Sequence, residues 1–359
     1  MLRSQNNKKV PYANYSLFYH IFTAEYNISF FVPKKDQCDV CSSYHNAENE
    51  EKERLQGSYE NHHKEKDMSR NEKHKDKTES DAVVAVYDLQ AVMQIPKGDI
   101  SVFYYKSKLN VLNFTIYNVK TNSCNCYVWN ETNGQRGVNE IGSCVLDYIK
   151  TLCEAGETDI IFYSDNCSGQ QKNKFMMALY LYAVNNLPNI TSITHKFLIK
   201  GHTQNEGDSA HSLVEREIKR ILKSGPIYVL ETYVTAVRTA RKKGQPFVVK
   251  ELCYKDFLNI KSLATEMGPI NCKTLQLSDV KVMKFEKQSP LSVFCKHSYG
   301  SDYKELKILK NSNKATSIND LLPCYSSKLT LPANKKKDLM DLCNKNLIPR
   351  FHHKFYEDL

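Results

Sequence analysis

Apolar positions 15, 18, 21, 22 and 26 share the spacing of one helical face, which predicts a helix near the start of the chain with a short extended exit ending at Pro33. From about His45 to Asp81 the pattern disappears. Charged and polar residues fill the run, and Leu55 and Tyr59 are the only sizeable apolar anchors before Met68. Such a run predicts a solvated helix that protrudes from the body and frays toward Lys75, with a disordered linker as the alternative. At Asp81 the pattern changes again. Ala82 to Asp88 is a short β-branched run that suits a buried central strand and stops at an acid. Ser101–Tyr105, Leu109–Tyr117 and Ser123–Trp129 alternate partially between polar breaks and predict strands of a meander.

Helical spacing returns at Ile141, Val145, Tyr148, Ile149 and Leu152, and Asp159 to Asp165 is a second buried strand that ends in an acid. Phe175–Val184 predicts a helix, Ile193–Lys200 a strand, and Asp208–Leu222 a helix with Leu213, Ile218 and Leu222 turned inward. The order β, β, β, α, β, α, β, α is that of a ribonuclease-H-like α/β mixed sheet, in which three antiparallel strands are followed by parallel strands with helices. Beyond it, Gly225–Ala240 continues helically, Pro246–Lys250 and Ser292–Phe294 predict short strands, and Lys335–Leu342 predicts a C-terminal helix. The expected domains are an N-terminal helical segment (1–80), the ribonuclease-H-like core (81–225) and a small α+β appendage (226–359).

The 359 residues carry 50 Lys and Arg against 40 Asp and Glu, a formal charge of +10, which favours a polyanionic partner such as nucleic acid. No stretch approaches the roughly 18 apolar residues of a membrane helix, and the first residues lack the apolar run of a signal peptide, so an integral membrane protein is excluded and an intracellular, nuclear location is expected. The 12 cysteines are too sparse and irregular for a secreted disulfide framework, and thiols are expected.

Asp88 and Asp165 each end a predicted central strand, and Glu206, Asp208 and Glu215 lie in the helix after the strand at Ile193. In a mixed sheet of this order the first two acids converge at one edge. Clustered carboxylates repel unless cations neutralise them, and hard divalent ions such as Mg2+ or Mn2+ meet that need. Two such ions support phosphoryl transfer on nucleic acid. Singly, each acid has an ordinary reading as the opening of a turn or, for Asp208, as an N-cap; the joint placement carries the expectation. Asp208, His211 and Glu215 fall at i, i+3 and i+7 on one helical face, so His211 is expected either to orient a nucleophile or ligate an ion, or to face solvent. Gln170, Lys172, Asn173 and Lys174 lie at the start of a helix, where they are expected to hold a nucleic-acid phosphate or to form a solvated first turn. Cys38 and Cys41 have zinc-knuckle spacing, and structural Zn2+ completed from His45, His62 and His63 stands against two unliganded thiols. Thr203 and Glu206 could form a capping box that frees Asp208 for metal.

Several segments together resemble a family of transposon-derived animal proteins: Val84 to Gln90, Phe103 to Lys106 with Asn113 and Phe114, Gly137 to Cys144, Tyr163 to Asn173, and Gly201 to Ser212. Pro33 to Cys41 and Ile348 to Leu359 extend the likeness over nearly the whole chain. Ser168 stands where the Asp-Asn-Cys-x-Gly-Gln-x-Lys-Asn signature commonly has glycine. The resemblance implies a ribonuclease-H-like domain similar to the catalytic domains of DDE transposases and retroviral integrases. Asp88, Asp165 and Asp208 would then be metal ligands for phosphodiester cleavage or transfer on DNA or RNA. A second reading keeps the scaffold as a domesticated transposase that binds nucleic acid or protein without catalysis. Monomer and homodimer both stay open.

Overall fold

The run at Val83 forms a strand because both of its faces are covered: the first five residues of β1 (Val83–Leu89) are fully buried. The computed structural model describes residues 14–26, 37–268, 270, 275–310 and 321–359, and the expected exit to Pro33 lies outside them. Ten described strands share one mixed sheet: β1, β2 (Met93–Ile95), β3 (Leu109–Asn118), β4 (Cys124–Asn130), β5 (Asp159–Ser164), β6 (Ser192–Phe197), β7 (Val248–Glu251), β8 (Val282–Glu286), β9 (Ser292–Lys296) and β10 (Lys304–Lys307). Their order is β10-β9-β8-β6-β5-β1-β3-β4-β7, with β2 paired to β3. Strands β1, β3 and β4 are antiparallel, while β5 and β6 follow β1 in parallel. The sheet runs across the expected boundary at residue 225. Strand β7 lies parallel on β4 at one edge, and β8 joins β6 antiparallel toward the other.

The helices, in chain order, are α1 (Tyr15–His20), α2 (Asp39–Asn46), α3 (Asn49–Glu79), α4 (Ser101–Tyr105), α5 (Val138–Glu154), α6 (Lys174–Asn186), α7 (Glu206–Leu222), α8 (Leu230–Thr239), α9 (Ile260–Glu266), α10 (Ala333–Asn344) and α11 (His353–Glu357). One sheet face is covered by α5, α6 and α9, which bury Tyr87, Phe114, Trp129 and Phe162 beneath them. On the opposite face α7, α8, α10 and α11 enclose Val111, Cys126 and Val128 of β3 and β4.

Ser101–Tyr105 is a helical turn, not a strand. Only Phe103 is buried there, while Tyr104 and Tyr105 are each 82% exposed, so no alternating face exists to pair. Helix α7 turns Ala210, Val214 and Ile218 inward together with His211, and Leu213 and Leu222 are only half buried. The charged helix α3 does not fray at Lys75. It runs 31 residues to Glu79, about 46 Å at 1.5 Å per residue. Its second half lies over β5 and β6, where Lys196 pairs with Glu72 and Asp76, each at 2.7 Å, and Asp76 accepts from the Tyr163 hydroxyl.

Candidate functional site

The two acids lie at the same end of neighbouring parallel strands, β1 and β5. Their register ends with Val86 opposite Tyr163, and each acid lies two residues beyond that last pair, Asp88 still within β1 and Asp165 in the turn after β5. Val86 and Tyr163 share one apolar cluster, so Asp88, two positions on within β1, falls on that same face. Asp88 accepts a hydrogen bond from the Leu89 N–H at 2.8 Å, and Asp165 accepts one from the Cys167 N–H at 3.0 Å, an Asx turn that closes the strand end.

The third acid arrives from the first turn of α7. Asn205 is the N-cap and Asp208 completes the capping box by accepting from the Asn205 N–H at 2.9 Å, so the expected box of Thr203 and Glu206 is not formed. Glu206 instead pairs with Lys73 of α3. Gly207 permits the close approach: an added Cβ would meet the Asn205 Oδ1 at 2.7 Å and the Asp88 Cβ at 3.6 Å. Asp88, Asp208 and His211 each offer a ligand atom, all within 4.8 Å of one another. Asp165 lies outside that group, while Glu215 is exposed on the solvent side of α7. His211 is buried and sits 3.1 Å from the Thr115 hydroxyl of β3, so it does not face solvent.

Burial first, then the charges of Asp165 and Asp208, together raise the Asp88 carboxyl to about 7. Burial also raises Asp165 and lowers His211 to about 4, which keeps that imidazole neutral. The ionisation of Asp88 and Asp165 is held back, which is the electrostatic condition a divalent cation relieves.

The residues expected to hold a phosphate are distributed differently. Lys172 is buried, donates to the Asn166 Oδ1 and the Ser278 carbonyl at 2.9 Å each, and is lowered to about 8 by burial. It braces the loop after β5 from inside. Asn173 is the N-cap of α6 and accepts from Phe175 and Met176, so Gln170 and Lys172 precede the helix. Gln170 donates to the Arg136 carbonyl, and Lys174 is exposed. A cleft of about 490 Å3 beside Asp165 is lined by Asn166, Lys172, Lys200, Gly201 and Thr203.

A second group forms where α2 and α3 fold back on each other. The ligand atoms of Cys38, Cys41, His62 and His202 all lie within 4.8 Å. The Cys38 Sγ is 3.2 Å from the His62 Nε2, and the Cys41 Sγ is 3.4 Å from the His202 Nε2. His63 approaches Cys41 at 3.5 Å, whereas His45 packs edge-on against Tyr59. His202 was not among the histidines expected from the sequence. It follows β6, 161 positions from Cys41, and the signal that points to it is its place in the same segment as Asp208.

One family, described as "Domain of unknown function (DUF7869)", matches residues 107–299, more than half of the chain. No curated protein and no solved structure matches it.

Proposed function

We propose that this chain, which belongs to the DUF7869 family, is a ribonuclease-H-like, metal-dependent enzyme that cleaves or transfers phosphodiesters on nucleic acid, DNA above RNA. The observation that carries the reading is the convergence of Asp88, Asp208 and His211 within 4.8 Å, with Asp165 two residues past the last β1–β5 pair. The strand order β4-β3-β1-β5-β6, with its antiparallel half and its parallel half, supports the fold assignment.

Two carboxylate oxygens and one imidazole nitrogen make up the group, and the carboxylates fit Mg2+ or Mn2+. When bound, those ions supply an activated water or 3′-hydroxyl and neutralise the leaving oxygen. Asp88 presents its carboxylate from β1, Asp165 from the turn after β5, and Asp208 from the first turn of α7. His211, neutral and beside Thr115, orients groups at the edge of the site. The cleft beside Asp165 and the net charge of +10 favour a phosphate backbone as the substrate surface. The second metal in this reading is Zn2+ at Cys38 and Cys41, where thiolate and imidazole donors suit a borderline-soft ion.

A cleavage and strand-transfer assay with Mg2+ or Mn2+ on branched and nicked DNA tests the reading. Asp165→Asn is expected to abolish turnover while nucleic-acid binding and the fold persist. Unchanged turnover in that variant refutes it. A parent chain inactive on every DNA and RNA substrate moves the conclusion to a binding module derived from a transposase.

A further inference from the structure

We infer that His202 makes the cysteine group a strut between the N-terminal helical hairpin and the loop that precedes α7, so that zinc at this group positions Asp208 for its cation. The inference rests on the proposed phosphodiester function and adds a positioning site to it.

Three observations carry the strut. The first is the donor set itself. A tetrahedral ion with bonds of about 2.3 Å to sulfur and 2.0–2.1 Å to nitrogen separates those donors by about 3.6 Å. The two sulfur-to-nitrogen distances here are 3.2 and 3.4 Å, one inside the hairpin and one across to His202. Two thiolates and two imidazoles complete four ligands.

The second is the seat of the loop. Gly201 has φ +78°, and an added Cβ would meet both the Cβ and the Sγ of Cys38 at 2.7 Å. The loop is therefore shaped to lie directly on Cys38, in a left-handed conformation that favours glycine.

The third is how the hairpin is attached: the second half of α3 is held to the sheet by Glu72 and Asp76 on Lys196, and α2 meets the loop after β6 at the cysteine group. Helix α2 contains no buried residue, and α3 buries only Ser69. Cys38, at the N-cap of α2, is 7% exposed and is the buried point at the base of the hairpin. Beyond His202, the chain runs directly to Asn205, the N-cap of α7, and then to Asp208. The Lys73–Glu206 pair makes a second tie between α3 and the same first turn. Fixing His202 thus fixes the start of the helix that carries the third carboxylate.

His63 is the rival ligand. It faces Cys41 at 3.5 Å and would confine the metal to the hairpin, with no strut.

The test uses the full chain, with zinc measured by plasma emission, the cobalt-substituted protein by absorption, and Mn2+ affinity by titration calorimetry. One zinc per chain is expected, with the cobalt spectrum of two thiolates in a tetrahedral field. His202→Ala should lose zinc and weaken Mn2+ binding by about tenfold or more, whereas His63→Ala should keep both. His202→Cys should retain zinc, shift the cobalt band to three thiolates and preserve Mn2+ affinity, which separates loss of the ligand from loss of the fold. Asp88→Asn should lose Mn2+ and keep zinc. Zinc retained in His202→Ala but lost in His63→Ala overturns the strut. Zinc lost in His202→Ala with Mn2+ affinity unchanged overturns the positioning role. A parent chain free of zinc overturns both, while the DNA assay still decides the carboxylate chemistry.

Discussion

Asp88→Asn preserves the shape of the side chain and removes the charge that burial, Asp165 and Asp208 oppose. In the folded chain the carboxyl titrates at about 7, against an ordinary value of 3.8. That rise of about three units corresponds to about 4 kcal/mol at 1.36 kcal/mol per unit, an upper bound shared among the coupled carboxylates. The folded state keeps a proton that the unfolded chain has already released between those values, so this contribution to stability is complete below pH 4 and is lost as pH rises to 7. Urea unfolding in a chelator from pH 4 to pH 8 measures it. The parent should lose up to about 4 kcal/mol across that window relative to Asp88→Asn, and the two should be equally stable at pH 4. Mg2+ at a hundred times its Kd should restore about 2.7 kcal/mol to the parent at pH 8. It should give far less at pH 5, where the ligand is protonated, and nothing to the variant. Parallel pH profiles for parent and variant would show that Asp88 is not a strained carboxyl, and the electrostatic case for a cation would fall with it.

His195 is fully buried against Tyr87, Tyr180 and Ser164 and is lowered to about 3 by burial. The unfolded chain takes up a proton first, so stability should fall as pH drops from 6.5 toward 3, by at most about 5 kcal/mol at 1.36 kcal/mol per unit; a His195→Gln variant with the same acid limb in urea unfolding would refute this. Lys174→Ala should lower the salt slope of DNA binding by about one, measured by titration at several salt concentrations. Lys172→Ala should leave that slope unchanged and cost about 1–3 kcal/mol of stability, because two hydrogen bonds from a charged donor, to Asn166 and Ser278, are lost. An equal loss of slope in both variants would place Lys172 at the nucleic acid.

The elements that fix the acids were legible because their signals are local. Ala82–Asp88 and Asp159–Asp165 are apolar runs that can only be buried on both faces, and each stops at its acid. The parallel register then sets Val86 opposite Tyr163, two residues short of both acids. Helix α7 was legible from its spacing, but its cap was not: Asn205 and Thr203 both offer a side-chain acceptor, and only the seat of Gly207 against Asp88 selects Asn205. Ser101–Tyr105 misled for the converse reason. Its β-favouring aromatics are mostly exposed, and a propensity with no partner strand does not make a strand.

The cysteine–histidine group and α3 share a different obstacle, which is that their partners lie far along the chain. The Cys38–Cys41 spacing announces a thiolate pair, but His202 becomes a neighbour only after β6 has been placed in the sheet. The same holds for the charged helix. Its sequence carries no apolar stripe, so periodicity predicts solvent on all sides. Yet Lys196, only 4% exposed on β6, is neutralised by Glu72 and Asp76, and the Tyr163 hydroxyl finds Asp76 as its acceptor. The cation in the sheet needs the acids on the helix, since a buried ammonium without a partner carries the full desolvation penalty. The polar helix is therefore a covering element of the sheet, and the hairpin it belongs to brings His62 to the loop that holds His202 and, beyond it, Asp208.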